Sequence, residues 1–256
     1  MYAQERQQHI AQLARAQGRV EVLALAQEEL GVTTETVRRD LTALERRGSV
    51  RRVHGGALPS DRLELEPTVQ ARQSHLAAEK RRIAARALDE LPSDGTVLLD
   101  TGTTTGALAE LLPTSTRLTV LTNSFAHAGV LGQLPQVDVL LLGGRVRRLT
   151  GAAVGPWARA ALQDVCVDVA FLGANGVTPE RGFTTPDQAE AEVKAAMVAA
   201  ARRVVVLADA SKVGEVHLHR FAELGQVDLL VTDTTLDDEH AQELRAADDA
   251  PEVARA

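Results

Sequence analysis

Apolar residues near the start of the chain recur at helical spacing. Ile10 and Leu13 mark an amphipathic helix, Val20-Glu21-Val22 alternates as a short strand does, and Leu25, Ala26 and Leu30 mark a second helix closed by Gly31. Val37, Leu41 and Leu44 then fall at i, i+4 and i+7, one packing stripe along a third helix. Thr33 is placed to cap that helix with its hydroxyl and Gly48 to stop it. Ser49 to Ala57 follows as a basic hairpin. Helix, short strand, helix, turn, helix and hairpin is the order of a winged helix-turn-helix, expected over residues 1–57.

Residues 58–78 lose this periodicity. They are polar, are interrupted by Pro59 and Pro67, and read as a linker. From Glu79 the pattern changes to short apolar runs separated by helical stretches. The runs are Val97–Asp100, Leu118–Thr122, Val137–Leu142, Val169–Leu172, Val204–Ala208 and Leu229–Thr232. Helical pattern covers Lys80–Leu91, Gly106–Leu112, Ala158–Leu162, Ala189–Ala201 and Asp237–Arg245. Such alternation predicts a parallel sheet covered on both faces. The fold class expected is therefore α/β, with a Rossmann-like parallel-sheet domain over 79–256 behind the N-terminal unit.

Charge is unevenly divided. The chain carries −7 overall, yet residues 1–60 hold nine arginines against seven acids, leaving −9 on the remainder. Six of those arginines lie between residues 38 and 52. Any DNA contact must rest on that local cluster and be salt-sensitive. Aromatics make up 2% of the chain, so Val, Leu and Ala must fill the core. No apolar run approaches the ~20 residues of a membrane helix, and no signal-peptide pattern is present, so a soluble cytoplasmic protein without membrane contact is expected. Cys166, among valines, is expected in a buried strand, and Trp157 is expected to pack. Arg202 and Arg203 read as a solvated helix end. His217 and His219 read as surface residues, and the seven histidines lack metal-binding spacing. No cofactor or metal is expected.

Two groups of residues carry candidate chemistry. On the third helix, Thr34, Glu35, Thr36, Arg38 and Arg39 lie away from the apolar stripe, where base edges and phosphates are read. Arg51, Arg52 and His54 of the hairpin are placed for the DNA backbone or minor groove. In the second domain, polar turns follow the predicted strands, where open parallel sheets bind ligands. Asp100-Thr-Gly-Thr-Thr-Thr-Gly106 combines a close-approach Gly102 with the hydroxyls of Thr103, Thr104 and Thr105 at a helix start, which suits phosphate. Thr122 and Asn123, Gly143, Gly144 and Arg145, Asn175, then Asp209 and Lys212 sit at neighbouring strand ends. Together they suggest a polar pocket for an anionic small molecule, with Asp100 on a neutral hydroxyl of that molecule.

With these motifs the chain resembles the DeoR family of bacterial transcription regulators, from about Glu5 to Asp233. The resemblance rests on Glu5-Arg6, Thr36-Val-Arg-Arg-Asp-Leu41, Arg52-Val-His-Gly-Gly-Ala57, Glu79-Lys80, Asp100-Thr-Gly-Thr-Thr-Thr105, Thr122-Asn123, Gly143-Gly144, Gly173-Ala-Asn-Gly176 and Ser211-Lys212. It implies a winged helix-turn-helix joined to a sugar-phosphate sensor similar in fold to ribose-5-phosphate isomerase. Within the family the layout is nearest to repressors of fructose use, with fructose 1-phosphate as one candidate effector. One departure falls in the second helix: Gln27 stands where the family usually has Ala, which implies a one-residue insertion or bulge there.

The resemblance also bears on catalysis. The related isomerases carry paired aspartates in an Asp-Gly-Ala-Asp turn, and the matching turn here, Gly173 to Gly176, has neither. Glu192 or Lys194 is expected near the retained acid/base position. Loss of the aspartates favours binding without turnover. The implied function is a repressor of sugar-catabolism genes, released by a phosphorylated sugar. Its partners are double-stranded operator DNA and further copies of itself, as a homodimer or homotetramer joined through residues 79–256. The rival is an isomerase-like enzyme with an appended DNA-binding module.

Overall fold

The computed structural model describes residues 3–17, 19–46, 49–53, 55–59 and 68–256. The chain divides into two units, Met1–Leu65 and Glu66–Ala256.

In the first unit, helix α1 spans Ala3–Gln17 and is followed by strand β1, Val20–Glu21. Helix α2, Val22–Ala24, runs directly into a π-helical turn at Leu25–Glu29. There the Leu30 amide donates to the Leu25 carbonyl at 3.0 Å, five residues back. This wide turn is the irregularity expected near Gln27. It takes up the extra residue while Leu25 and Ala26 stay buried. Gly31 then turns the chain at φ +61°. Helix α3 covers Thr34–Arg46, and strands β2, Val50–Val53, and β3, Gly56–Pro59, form an antiparallel hairpin to which β1 adds, in the order β1-β3-β2. Ile10, Leu25, Val37, Leu41, Leu44 and Val50 close one core. Val22 opens a helix here instead of ending the strand.

The second unit begins with α4, Val69–Ser74, and α5, Ala77–Ala87, which ends in a 3-10 turn at Leu88–Glu90. Seven strands form one parallel sheet: β4 (Thr96–Leu99), β5 (Leu118–Thr122), β6 (Val137–Leu141), β9 (Val167–Gly173), β12 (Ala201–Leu207), β14 (Leu229–Thr232) and β15 (Glu252–Arg255), in the order β15-β14-β12-β9-β4-β5-β6. Helices α6 (Thr103–Leu111), α7 (Phe125–Leu131), α8 (Pro156–Ala161), α9 (Gln188–Ala199) and α10 (Asp238–Ala246) lie between strands in sequence. A short hairpin of β7 (Arg145–Val146) and β8 (Ala153–Val154) follows β6. A small antiparallel sheet is built from β10 (Gly176–Thr178), β11 (Gly182–Thr185) and β13 (His219–Ala222). The sheet buries both faces. Ile83, Leu99, Leu108 and Phe171 share one core, and Leu98, Leu172, Met197 and Val206 the other. Burial on both faces is why these strands read as continuous apolar runs.

Several expectations need correction. Residues 58–78 are not all linker: Leu58 and Pro59 complete β3, α4 occupies Val69–Ser74, and α5 starts at Ala77. Residues 60–67 lie outside the described residues. Cys166 is exposed, one residue before β9. Trp157 is 79% exposed in the first turn of α8 instead of packed. Arg202 and Arg203 belong to β12, where Arg203 binds Glu90 at 2.8 Å. The small antiparallel sheet and β15 were not expected, because three- and four-residue strands carrying Gly, His, Glu and Arg lack a clear period.

Candidate functional site

Helix α3 presents the first candidate surface. The Thr36 amide donates to the Thr33 hydroxyl at 3.2 Å, the N-cap that the sequence expects. Val37, Leu41 and Leu44 are buried, which turns Glu35, Arg38 and Arg39 outward into solvent, with Thr34 and Thr36 half-buried beside them. Arg38 lies 3.6 Å from Glu35 one turn back, an exposed pair. Asp40 is on the opposite face. It accepts from Arg6 Nε at 2.5 Å and from Gln7 Nε2 at 2.9 Å, tying α1 to α3. Its charge is therefore spent within the fold and does not cancel the exposed arginines. The Arg52 amide donates to Glu45 at 3.1 Å and its guanidinium to Thr42 Oγ1 at 3.2 Å, so the hairpin is strapped to the helix. Arg51 is placed by its backbone, paired with Leu58. His54 and Gly48 lie outside the described residues.

The second site follows from topology. The chain proceeds from β4 to β5 and β6 on one side, and β9 returns to the other side of β4. Ligand crevices in open parallel sheets form where strand order reverses, beyond the carboxyl ends. The loops after β4 and β9 meet at that point. Helix α6 opens there without a side-chain cap on Gly102, and its first backbone bond is Gly106 to Gly102 at 2.9 Å. The amides of the first turn lack intrahelical partners, and the buried Thr105 hydroxyl has none among the described residues. A Cβ on Gly102 would come within 2.9 Å of the Thr105 hydroxyl. Asn123 fixes the loop, accepting from the Thr101 amide at 2.8 Å and from its hydroxyl at 2.9 Å.

Around this turn lies a cleft of about 60 Å³ whose walls include Arg72, Lys80, Lys194 and Lys212 against Glu190 and Asp209. A roomier cavity of about 480 Å³ adjoins it, sharing Lys80, Gly102 and Thr103 and extending to Gln73, Glu110 and His127. Lys194 donates to Asp100 and to the Gly173 carbonyl, and its ammonium lies 5.2 Å from the centre of the Phe221 ring. Glu190 accepts from Thr150 and from Arg147, the latter at 3.3 Å. Asp209 caps the turn that carries Lys212. Lys80 is buried and donates to the carbonyls of Arg72 and His75. Burial pushes its pKa down to about 8; Asp209 opposes this and the Lys212 and Arg72 charges add to it. Burial likewise lowers the pKa of His127, against the opposing pull of the Gly102 carbonyl, 3.1 Å away, and of Asp100.

Of the predicted ligand residues, Gly102, Thr103, Thr104, Thr105, Asn175, Lys194, Asp209 and Lys212 line the cleft. The others do not. Asp100 is buried behind it in the ion pair with Lys194, and so is not turned toward a sugar hydroxyl. Thr122 accepts from the Ser124 amide at 3.1 Å, and Asn123 holds the Thr101 loop. Gly143 and Gly144 lie toward the hairpin, where a Cβ on Gly144 would meet the Val154 carbonyl at 2.8 Å. Arg145 is exposed on β7. Glu192 faces away toward Arg159, whereas Glu190 and Lys194, four residues apart on α9, share the cleft face. Sequence reading missed Arg72, His75, Lys80, Thr150 and Glu190. The Glu79-Lys80 motif was the available signal for Lys80, since an isolated helical lysine otherwise reads as solvated.

Comparison with known proteins gives both units the same family. Residues 6–62 match the DeoR-like helix-turn-helix domain and residues 76–234 the DeoR C terminal sensor domain. The chain belongs to the DeoR family and is a DNA-binding transcriptional regulator. It is 38% identical to the HTH-type transcriptional regulator GlpR of Haloferax volcanii, over 96% of each chain. It is also 38% identical to the uncharacterized HTH-type transcriptional regulator FruR of Bacillus subtilis, over 77% of this chain and 78% of that one. With the HTH-type transcriptional repressor GlcR of Bacillus subtilis the identity is 34%, over 80% and 78%. Among solved structures, ribose 5-phosphate isomerase A of Methanocaldococcus jannaschii is similar at 19% identity and a TM-score of 0.40, over 54% of this chain and 55% of that one. Among the described residues no helix is long and apolar enough to cross a membrane.

Proposed function

We propose that the protein is a cytoplasmic repressor of sugar-catabolism genes that leaves its operator when a phosphorylated sugar occupies the cleft at the end of β4. The observation that carries this reading is the convergence of Lys80, Lys194 and Lys212 with the uncapped first turn of α6 and the Thr103, Thr104 and Thr105 side chains. Amides, hydroxyls and ammonium groups in one place suit a phosphate dianion. Lys80 and Lys212 hold the phosphate, and the adjoining cavity of about 480 Å³ has the size of a small-molecule site. The turn Gly173 to Gly176 carries no carboxylate for proton transfer, so the ligand is bound and released unchanged. On the DNA side, Thr34, Glu35, Thr36, Arg38 and Arg39 face the major groove and Arg51, Arg52 and His54 the backbone or minor groove. One winged unit covers a half-site, so the working form is a homodimer or homotetramer joined through the second unit.

Calorimetry with a panel of pentose and hexose phosphates tests the reading. Fructose 1-phosphate or a related ester should bind, the unphosphorylated sugars should not, and Thr104→Val or Lys212→Ala should weaken binding. Incubating the same panel with the protein should return every ester unisomerised. Failure of all phosphorylated sugars to bind removes the effector assignment, and turnover of any of them favours the enzyme instead.

A further inference from the structure

Helix α4 and the turn after it, residues 69–76, border both cavities of the second unit. Arg72 and His75 line the cleft, and Val69 and Gln73 line the larger cavity beside it. Two ties hold the segment in place. The Val69 amide donates to the Leu149 carbonyl at 3.0 Å, in the β7–β8 loop whose Thr150 hydroxyl donates to Glu190. At the other end, the Lys80 ammonium donates to the Arg72 and His75 carbonyls. Next to that tie Leu76 has φ +53°, a left-handed conformation that a residue with a Cβ seldom takes. The Lys80 tie therefore holds a turn that the backbone does not favour by itself.

We infer that residues 69–76 are a strap that a bound phosphate draws tight, with Arg72 as a further phosphate ligand and Lys80 as the link between ligand and strap. Hydrogen-bond capacity supports the link. An ammonium has three N–H donors, and the two carbonyls of the strap are its acceptors among the described residues. One donor remains, and Lys80 lines the cleft. Charge sets the direction. In the cleft without an anion, the Arg72 and Lys212 charges both oppose a charged Lys80. A phosphate dianion attracts all three cations and restores the charge on Lys80. Bonds from a charged donor are roughly twice as strong as those from a neutral one, so filling the cleft strengthens the hold on the Arg72 and His75 carbonyls. The strap is also the part of the second unit nearest in sequence to the DNA-binding unit. Occupancy of the cleft is thus read as ordering of the segment that leads to that unit.

The strap rests on the reading, proposed above, that the cleft takes a phosphorylated sugar, and the experiment separates the two. Calorimetry on the full chain with inorganic phosphate, fructose 1-phosphate and the other esters of the panel establishes binding. Hydrogen–deuterium exchange is then read over residues 69–80, with and without a saturating amount of each probe that binds. Exchange there should slow about tenfold or more when the cleft is filled. Arg72→Gln should weaken inorganic phosphate and the esters by a similar factor of about ten, since it acts on the group they share. Lys80→Met removes the donors to the strap and should speed exchange over 69–76 already without ligand. Circular dichroism and a thermal melt establish that each variant is folded, and if one is not, exchange in the parent decides. A parent that binds an ester while residues 69–80 exchange at an unchanged or faster rate overturns the strap and leaves the effector reading standing. Parental affinity in Arg72→Gln removes Arg72 from the phosphate, and parental exchange in Lys80→Met removes the link. Failure of every probe to bind overturns both readings.

Discussion

A lysine taken out of water favours its neutral form, and Lys80 illustrates what a binding site can do with that. Its pKa is pushed down to about 8, first by burial, with Lys212 and Arg72 adding to the effect. A phosphate dianion in the cleft would favour the charged form again, so binding should take up a proton. Sugar-phosphate affinity should fall as pH rises above about 8, by up to tenfold per pH unit, since the free protein then holds fewer protons than the complex. Titrations in buffers of different ionisation enthalpy would expose the proton uptake; a flat pH profile from 7 to 9 would remove Lys80 from the phosphate. His127 gives a second titration with the opposite consequence. Burial lowers its pKa below 6.5, so the fold prefers it neutral. The stability it contributes is present above pH 6.5 and is lost as pH falls toward the depressed folded value. Thermal melts between pH 7 and 5 should show this loss, and His127→Gln should reduce the pH dependence. Neither residue's role was legible in the sequence. A charge or an imidazole on a helix looks solvated until tertiary structure shows which turn covers it.

At the scale of elements, α3 was legible in the sequence and its surroundings less so. The stripe of Val37, Leu41 and Leu44 and the Thr33 cap fix both its position and its outward face. Asp40, which in sequence seems to dilute the arginine cluster, is instead pinned to Arg6 across the core. Two predictions follow from these placements. Arg39→Ala should weaken operator binding by about 1–3 kcal/mol if it reads a guanine edge, and Arg38→Ala by a smaller amount because Glu35 already shares its charge. Binding isotherms at fixed salt would show this, and parental affinity in both variants would move recognition off α3. Asp40→Ala should destabilise the first unit by about 1–3 kcal/mol, because the carboxylate that accepts from Arg6 and Gln7 and ties α1 to α3 is lost. Chemical denaturation would measure it, and a loss below about 1 kcal/mol would make the pair a surface bridge in effect. The strands of the second unit were readable because apolar runs cover both sheet faces. The short antiparallel sheet and α4 were not, since their residues are placed by long-range pairing and by the cleft they help enclose.

At the scale of the molecule, the division into a basic reading head and an acidic sensor was visible from charge and motif alone. The site itself was visible only in part, because the turn after β4 announces itself by its Gly and Thr residues whereas Arg72, Lys80 and Glu190 come from helices remote in sequence. What joins the two units functionally is thermodynamic. A sugar phosphate can lower operator affinity only to the extent that it binds the DNA-free state more tightly than the DNA-bound state. A tenfold to hundredfold release corresponds to about 1.4–2.8 kcal/mol of coupling, and linkage makes the same factor act in reverse. Saturating the protein with operator should therefore weaken the sugar phosphate by the factor with which the sugar phosphate weakens operator. Thr104→Val and Lys212→Ala should lower affinity for the ester in both states and leave the ligand-free operator isotherm where it was. The measurement is a pair of ligand titrations, with and without saturating operator, compared with operator isotherms at zero and saturating ligand. Equal ester affinity in the two titrations, beside an operator isotherm that does shift, would show that the ester acts on DNA binding from somewhere other than this cleft.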